Sequence, residues 1–123
     1  STPSYFRGFA MTETEAGRLS LLINKESVSL KDKDSEATMC IGVQGRVLHA
    51  HLAEEHNHLV VVTRKGLFVF ECSHNTWHLT HRESVPTGVT AIRWAEGMNP
   101  KFVLVYDKSR DVTYERADKW KKS

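Results

Sequence analysis

The sequence predicts an all-β fold in which three units of about 41 residues each supply four antiparallel strands. The first observation is an apolar triplet that occurs three times with similar spacing. Its members are Phe6, Phe9 and Met11, then Val47, Ala50 and Leu52, and then Val89, Ile92 and Trp94. The second observation is a pair of apolar strands that follows every triplet. These periods divide the chain into units at approximately 1–44, 45–86 and 87–123, which form a single domain or part of a longer array.

The strands after each triplet can be read from short apolar runs. The first strands are LSLLI, LVVV and FVLVY, which begin at Leu19, Leu59 and Phe102. The second strands are VSL, LFVF and VTY, at 28–30, 67–70 and 112–114. The polar turns NKES, TRKG and DKSRD between them are typical of hairpins. A more polar fourth stretch follows at 36–43 and 76–84, whereas the third unit leaves little chain for one.

Two architectures are built from four-stranded units of this length. A β-trefoil closes with three units, and the chain length favours it. A β-propeller of the WD-repeat class has units of about 40 to 45 residues and needs at least about four to close. The continuous apolar runs favour the propeller, because a strand packed between two neighbouring sheets is apolar on both faces. We therefore predict three WD-type units of a propeller, with the closed trefoil as the alternative.

Composition and short sequence patterns limit the classes of function that the sequence supports. Charged residues make up 26% of the chain and its formal net charge is only +2, which is too small a surplus to indicate nucleic-acid binding by itself. The apolar runs are far shorter than the roughly 20 residues of a membrane-spanning helix, and the N-terminus lacks the pattern of a secretory signal. Cys40 and Cys72 fit no zinc or disulfide spacing, so they are predicted to be reduced, buried thiols.

The segment VTAIRW followed by FVLVYDKSRDV resembles a WD-repeat blade, although the Gly-His and Trp-Asp pairs of that class are absent. Within the class, Val103–Val112 (VLVYDKSRDV) resembles the non-catalytic WD-repeat subunit of tRNA (guanine-N7) methyltransferase. Together with the preceding blade, the resemblance covers residues 46–116. Residues 1–45 are included only because they share the internal repeat. Arg110 stands where that family has glycine, so a different hairpin turn is expected there.

This resemblance implies a non-enzymatic scaffold that supports a methyltransferase catalytic subunit, with tRNA bound through that partner. It also implies an intracellular, nuclear location and no cofactor. A generic WD-repeat adaptor and a trefoil binding module are the alternatives. The sequence lacks the GxSxG, HExxH and Gly-rich phosphate-loop motifs, so an enzyme is not predicted.

The stretch LHAHLAEEHNHL, residues 48–59, places four histidines and two glutamates within twelve positions. His49 and His51 are two residues apart on one predicted inner strand, so their side chains lie on the same face of it. They are therefore the candidates, although weak ones, for a metal site. The favoured interpretation is hydrogen-bonded strand histidines, with His56 and His58 in the turn that follows. The adjacent pair Glu54 and Glu55 is expected to be solvated rather than catalytic.

Two basic segments are the candidates for contact with a protein partner or RNA. The first is the hairpin turn after FVLVY, where Lys108 and Arg110 could reach an RNA phosphate. The second is the C-terminal tail, which combines Lys119, Lys121 and Lys122 with a tryptophan. The competing interpretations are an ordinary hairpin turn and a frayed, solvated terminus. Three further histidines, at 74, 78 and 81, are expected on the surface of an outer strand.

Overall fold

The structure, a computed structural model, describes residues 18–123. These residues form three antiparallel sheets, which we call blades 1, 2 and 3. Blade 1 contains β1 (Leu19–Ile23), β2 (Ser27–Asp32) and β3 (Thr38–Gly42). Blade 2 contains β4 (Val47–Ala53), β5 (His58–Thr63), β6 (Gly66–Ser73) and β7 (Thr76–Glu83). Blade 3 contains β8 (Val89–Ala95), β9 (Lys101–Tyr106), β10 (Val112–Arg116) and β11 (Trp120–Lys122).

Each blade runs up and down in sequence order, with neighbouring strands hydrogen-bonded. The prediction of an all-β chain with propeller-type units is therefore confirmed. The closed-trefoil alternative is wrong, because the strands form three separate sheets rather than one barrel. The triplet at Phe6, Phe9 and Met11 lies outside the described residues. A single turn of 3₁₀-helix, Glu54–His56, joins β4 to β5, and Asn57 closes it in the left-handed conformation that asparagine tolerates.

Within the described residues, the core consists of two apolar layers between the blades, and β5 contributes to both. Its side chains alternate, so that Leu59 and Val61 pack towards blade 1. Val60 and Val62 pack towards blade 3, and all six residues of the strand are buried. This two-sided burial is the physical reason for the uninterrupted LVVV run, and it confirms the argument that favoured a propeller.

The two described inner strands share an irregularity that supports the repeat. In β4 the pairing with β5 shifts register between Val47 and His49, and in β8 the pairing with β9 shifts between Val89 and Ala91. The extra residue in blade 2 is Leu48, whose side chain is 45% exposed. Because a bulge reorients the side chains that follow it, two bulges at equivalent positions aim both inner strands alike.

Several local expectations are wrong. The third unit does have a fourth strand, because β11 pairs with β10, and its Trp120 is buried rather than part of a frayed tail. His58 is a buried strand residue and not a turn residue. Cys40 is exposed on β3 and Cys72 is half-buried, so neither thiol is in the core, although both are free.

Candidate interaction surface

One of the two inner-strand histidines, His49, connects two blades. The Nε2 atom of His49 lies 3.0 Å from the carbonyl oxygen of Val89, the first residue of β8. His51 is half-buried two residues on, and burial lowers the pKa of its imidazole. Within residues 18–123, no three His, Cys, Asp or Glu side chains converge as a metal site requires. The geometry gives His49 a structural hydrogen bond between inner strands.

His58 belongs to an aromatic layer between blades 2 and 3. Its ring lies 5.4 Å from the ring of Trp94 and 5.7 Å from that of Trp120. Its Nδ1–H donates to the carbonyl oxygen of His56 over 2.7 Å, and its buried Nε2 has no partner among the described residues. Burial lowers the pKa of His58, against the opposing effects of that carbonyl and of Glu71. The neutral imidazole therefore acts as an apolar packing group.

Glu54 fastens blade 1 to blade 2. Its two carboxylate oxygens accept hydrogen bonds from the backbone N–H groups of Arg18 and Leu19, at 2.9 and 3.1 Å. The prediction that Glu54 is only solvated is wrong, because these contacts bridge a long sequence separation. These contacts do not test the prediction that Glu54 and the exposed Glu55 form no catalytic pair.

Ionic contacts join the outer strands of blades 2 and 3. Glu83 accepts hydrogen bonds from the Tyr114 hydroxyl over 2.8 Å, from the Lys122 ammonium over 3.0 Å and from the ring of His81 over 2.9 Å. Burial works to raise the pKa of Glu83, but these three hydrogen bonds outweigh it and the pKa is lowered. Lys122, a candidate for partner contact, therefore holds two blades together.

A second ionic contact joins the same two blades, where Arg116 donates to Glu71 over 2.7 Å. That hydrogen bond is the main cause of the lowered pKa of the Glu71 carboxyl. With Glu83, it fixes blade 3 to the outer strands of blade 2 at two separate points.

The other predicted contact residues lie in exposed positions. Lys108 and Arg110 are in the β9–β10 turn, and Lys119 and Lys121 flank Trp120. None of the turn residues has a positive φ, so the turn accommodates Arg110 without left-handed backbone. The turn also contains two carboxylates, those of Asp107 and Asp111, so its formal net charge is zero. One of them, Asp111, accepts a hydrogen bond from the backbone of Tyr106 and lies 3.9 Å from Arg93.

A larger group of cations lies where blades 1 and 2 meet, and we call it the basic rim: Lys25, Arg46, Arg64, Lys65 and Arg82. Backbone hydrogen bonds bring its loops together. The N–H of Val47 donates to the carbonyl oxygen of Lys25 over 2.8 Å, and the N–H of Arg64 donates to that of Arg46 over 3.0 Å. All five side chains are exposed.

Thr63 fixes the arrangement of these loops. Its hydroxyl donates to the carbonyl oxygen of Gln44 over 2.6 Å and accepts from the N–H of Lys65 over 2.9 Å. Gly45, at φ 90°, lies so close to the stem of Lys65 that a Cβ atom there would stand 2.5 Å from Cγ of the lysine. The Lys65 side chain therefore crosses the 44–46 turn.

The opposite end of the sheets carries the opposite charge. Because the strands are antiparallel, the turns that precede β3, β5, β9 and β11 all lie at that end. Their carboxylates are Asp34, Glu36, Glu54, Glu55, Glu96 and Asp118, against the cations Lys33 and Lys119.

A groove of about 440 Å³ opens between blades 1 and 2 and is lined by Leu30, Met39 and Trp77 among others.

Sequence reasoning proposed Lys108 and Arg110 as contact candidates, which stay a prediction, and it did not find the basic rim. The five rim cations come from four separate segments, and no single stretch of sequence is strongly basic. The available signal was the repeat itself, because it assigns the turns TRKG and NKES, together with QGR, to one end of neighbouring units.

Comparisons with known proteins support the fold. The chain is similar to the crystal structure of the N-terminal domain of Nup159, with a TM-score of 0.59 and 10% identity. The match covers 94% of this chain and 36% of that one, so the chain spans about a third of the solved structure. No protein-family profile matches the chain, and no curated protein matches it. The likeness indicates a β-propeller-like fold. Within residues 18–123, no helix is long and apolar enough to cross a membrane.

Proposed function

We propose that this chain is a non-enzymatic scaffold that binds and supports the catalytic subunit of a tRNA guanine-N7 methyltransferase. The observation that carries this proposal is the resemblance of Val103–Val112 to the WD-repeat subunit of that enzyme. The binding role also agrees with the propeller-like fold. In the proposed complex, the tRNA contacts the scaffold through the catalytic partner, and the complex acts in the nucleus.

The position of the resembling segment fits a role in contact. It covers most of β9, the exposed turn and the first residue of β10. Leu104 is fully buried, so that part of the likeness belongs to the core. Asp107, Lys108 and Arg110 are exposed at the tip, where a partner can reach them. In this proposal the strand residues maintain the fold and the turn residues meet the partner.

Co-expression with a methyltransferase catalytic subunit tests the proposal. We expect the two chains to co-purify and the catalytic subunit to methylate tRNA faster in the complex than alone. The variant Lys108→Ala with Arg110→Ala should weaken capture, because the exposed charges at the turn tip are removed. The matched control, Lys31→Ala with Lys101→Ala, changes the net charge equally elsewhere and should not.

Failure of the two proteins to associate would reject the methyltransferase assignment. Capture of another protein by the same turn would then favour a generic WD-repeat adaptor. Equal capture by the turn variant and by the unmodified chain would place the contact on a different surface and reject the proposed role of the turn.

A further inference from the structure

We propose that the basic rim is a docking site for an acidic segment of a protein partner, one rich in Asp and Glu with an apolar residue among them. This inference rests on the proposed scaffold function, because it names the surface and the chemistry through which a partner binds. It does not require that the partner be a methyltransferase.

The first argument is that the rim cations have no ionic partners. Among the described residues, none of the five forms an ion pair. Arg82 donates only to the neutral amide oxygen of Gln44 and lies over the ring of Phe68, 5.5 Å from its centre. The same loops carry one free carboxylate, that of Glu26. The rim therefore keeps an uncompensated positive potential.

The second argument is that the rim is preorganised. The hydrogen bonds of Thr63 and the two backbone bonds between loops hold three of its segments in fixed positions. Crossing the 44–46 turn also restricts the stem of Lys65. A partner that binds cations already held near one another loses less conformational entropy than one that must assemble them.

The third argument decides between an acidic peptide and a nucleic acid. Sequence-independent binding of single strands uses aromatic side chains on which bases stack. The strongly exposed large apolar residues of the described chain are Met39, Leu48, Leu79 and Met98, none of them aromatic. Leu48 follows Arg46 by two residues, so the rim offers an apolar contact beside its cations. The acidic opposite end would also repel a long polyanion, whereas a short peptide segment need not approach it.

Fluorescence anisotropy with a labelled peptide of alternating Asp and Glu and one central Leu, about twelve residues long, tests the inference. We expect binding at about 0.05 M salt that weakens towards 0.15 M as exposed charges are screened. Arg64→Gln with Lys65→Gln should lower the affinity roughly tenfold. Lys31→Gln with Lys101→Gln removes two charges away from the rim and should change the affinity less than about twofold. Arg64→Lys keeps the charge and should retain binding.

Each contrary outcome overturns the inference. Equal losses of peptide affinity in the rim and control variants would mean that binding depends only on the net charge of the chain. Tighter binding of a single-stranded RNA of equal charge through Arg64 and Lys65 would make the ligand a nucleic acid. Absence of peptide binding at low salt by the folded, unmodified chain would exclude the site.

The outcomes also separate this inference from the proposed function. Peptide binding by a chain that captures no methyltransferase would retain the rim and reject the methyltransferase partner. Equal capture of the methyltransferase by the Arg64→Gln, Lys65→Gln variant and the unmodified chain would retain the function and reject the rim as its docking site.

Discussion

Val60 and Val61 are adjacent and both fully buried, yet they pack into different layers. Replacing either with alanine removes two methyl groups. At about 0.8 kcal/mol for each buried methylene-sized group, the lost transfer free energy is roughly 1.6 kcal/mol. The cavity left behind adds to this, so we expect each substitution to lower the free energy of unfolding by about 2 kcal/mol.

The two variants should differ in where the protein opens. Val61→Ala weakens the layer between blades 1 and 2, so amide hydrogen exchange should accelerate mainly in β1 and β2. Val60→Ala weakens the layer between blades 2 and 3 and should accelerate exchange mainly in β9 and β10. This follows because sheets that contact only their neighbours open one interface at a time.

Urea unfolding of the double variant provides the second measurement. Since the two side chains face away from one another, their effects should add to within about 0.5 kcal/mol. The reasoning is refuted if either single variant accelerates amide hydrogen exchange equally in blades 1 and 3. It is also refuted by a coupling well above that limit, because one shared core would then contain both valines.

Three further predictions concern polar and backbone features. Burial lowers the pKa of His58 below its ordinary value of 6.5, so the unfolded chain takes up the proton first as the pH falls. The free energy of unfolding should therefore be full above about pH 6.5 and decrease below it, and His58→Gln should flatten this slope in thermal melts. Tyr114→Phe removes a hydrogen bond to Glu83 and should cost about 1.5 kcal/mol in urea unfolding. Gly45→Ala should cost about 2 kcal/mol or more, because φ is positive and a Cβ meets Lys65, whereas Gly97→Ala should stay within about 0.5 kcal/mol by the same assay.

Each of these has a result that contradicts it. An unchanged pH slope in His58→Gln would mean that other groups dominate acid sensitivity. If Tyr114→Phe matched the unmodified chain, the hydroxyl would contribute nothing to blade attachment. Equal melting of the two glycine variants would contradict the tight approach at Gly45.

Most of the fold could be predicted from the sequence because its signals are local. The LVVV and FVLVY runs are apolar on both strand faces, and only a strand between two layers needs that pattern. His58 and Trp120 were misassigned for the opposite reason. Their burial depends on one another and on Trp94 across a blade interface, which strand periodicity does not encode. The basic rim was missed for a related reason, since its charges become neighbours only when blades stack.

The positions of Arg64 and Lys65 have a further consequence for how the chain avoids self-association. They stand between β5 and β6, which contain the two most hydrophobic stretches of blade 2. Exposed before the neighbouring blades are in place, such stretches are prone to intermolecular β-pairing, and flanking cations act as gatekeepers against it. Neutralising this turn should therefore lower the yield of soluble protein on refolding, apart from any loss of binding. The same two side chains protect the nascent strands and then, once the blades have stacked, face outward from the finished surface.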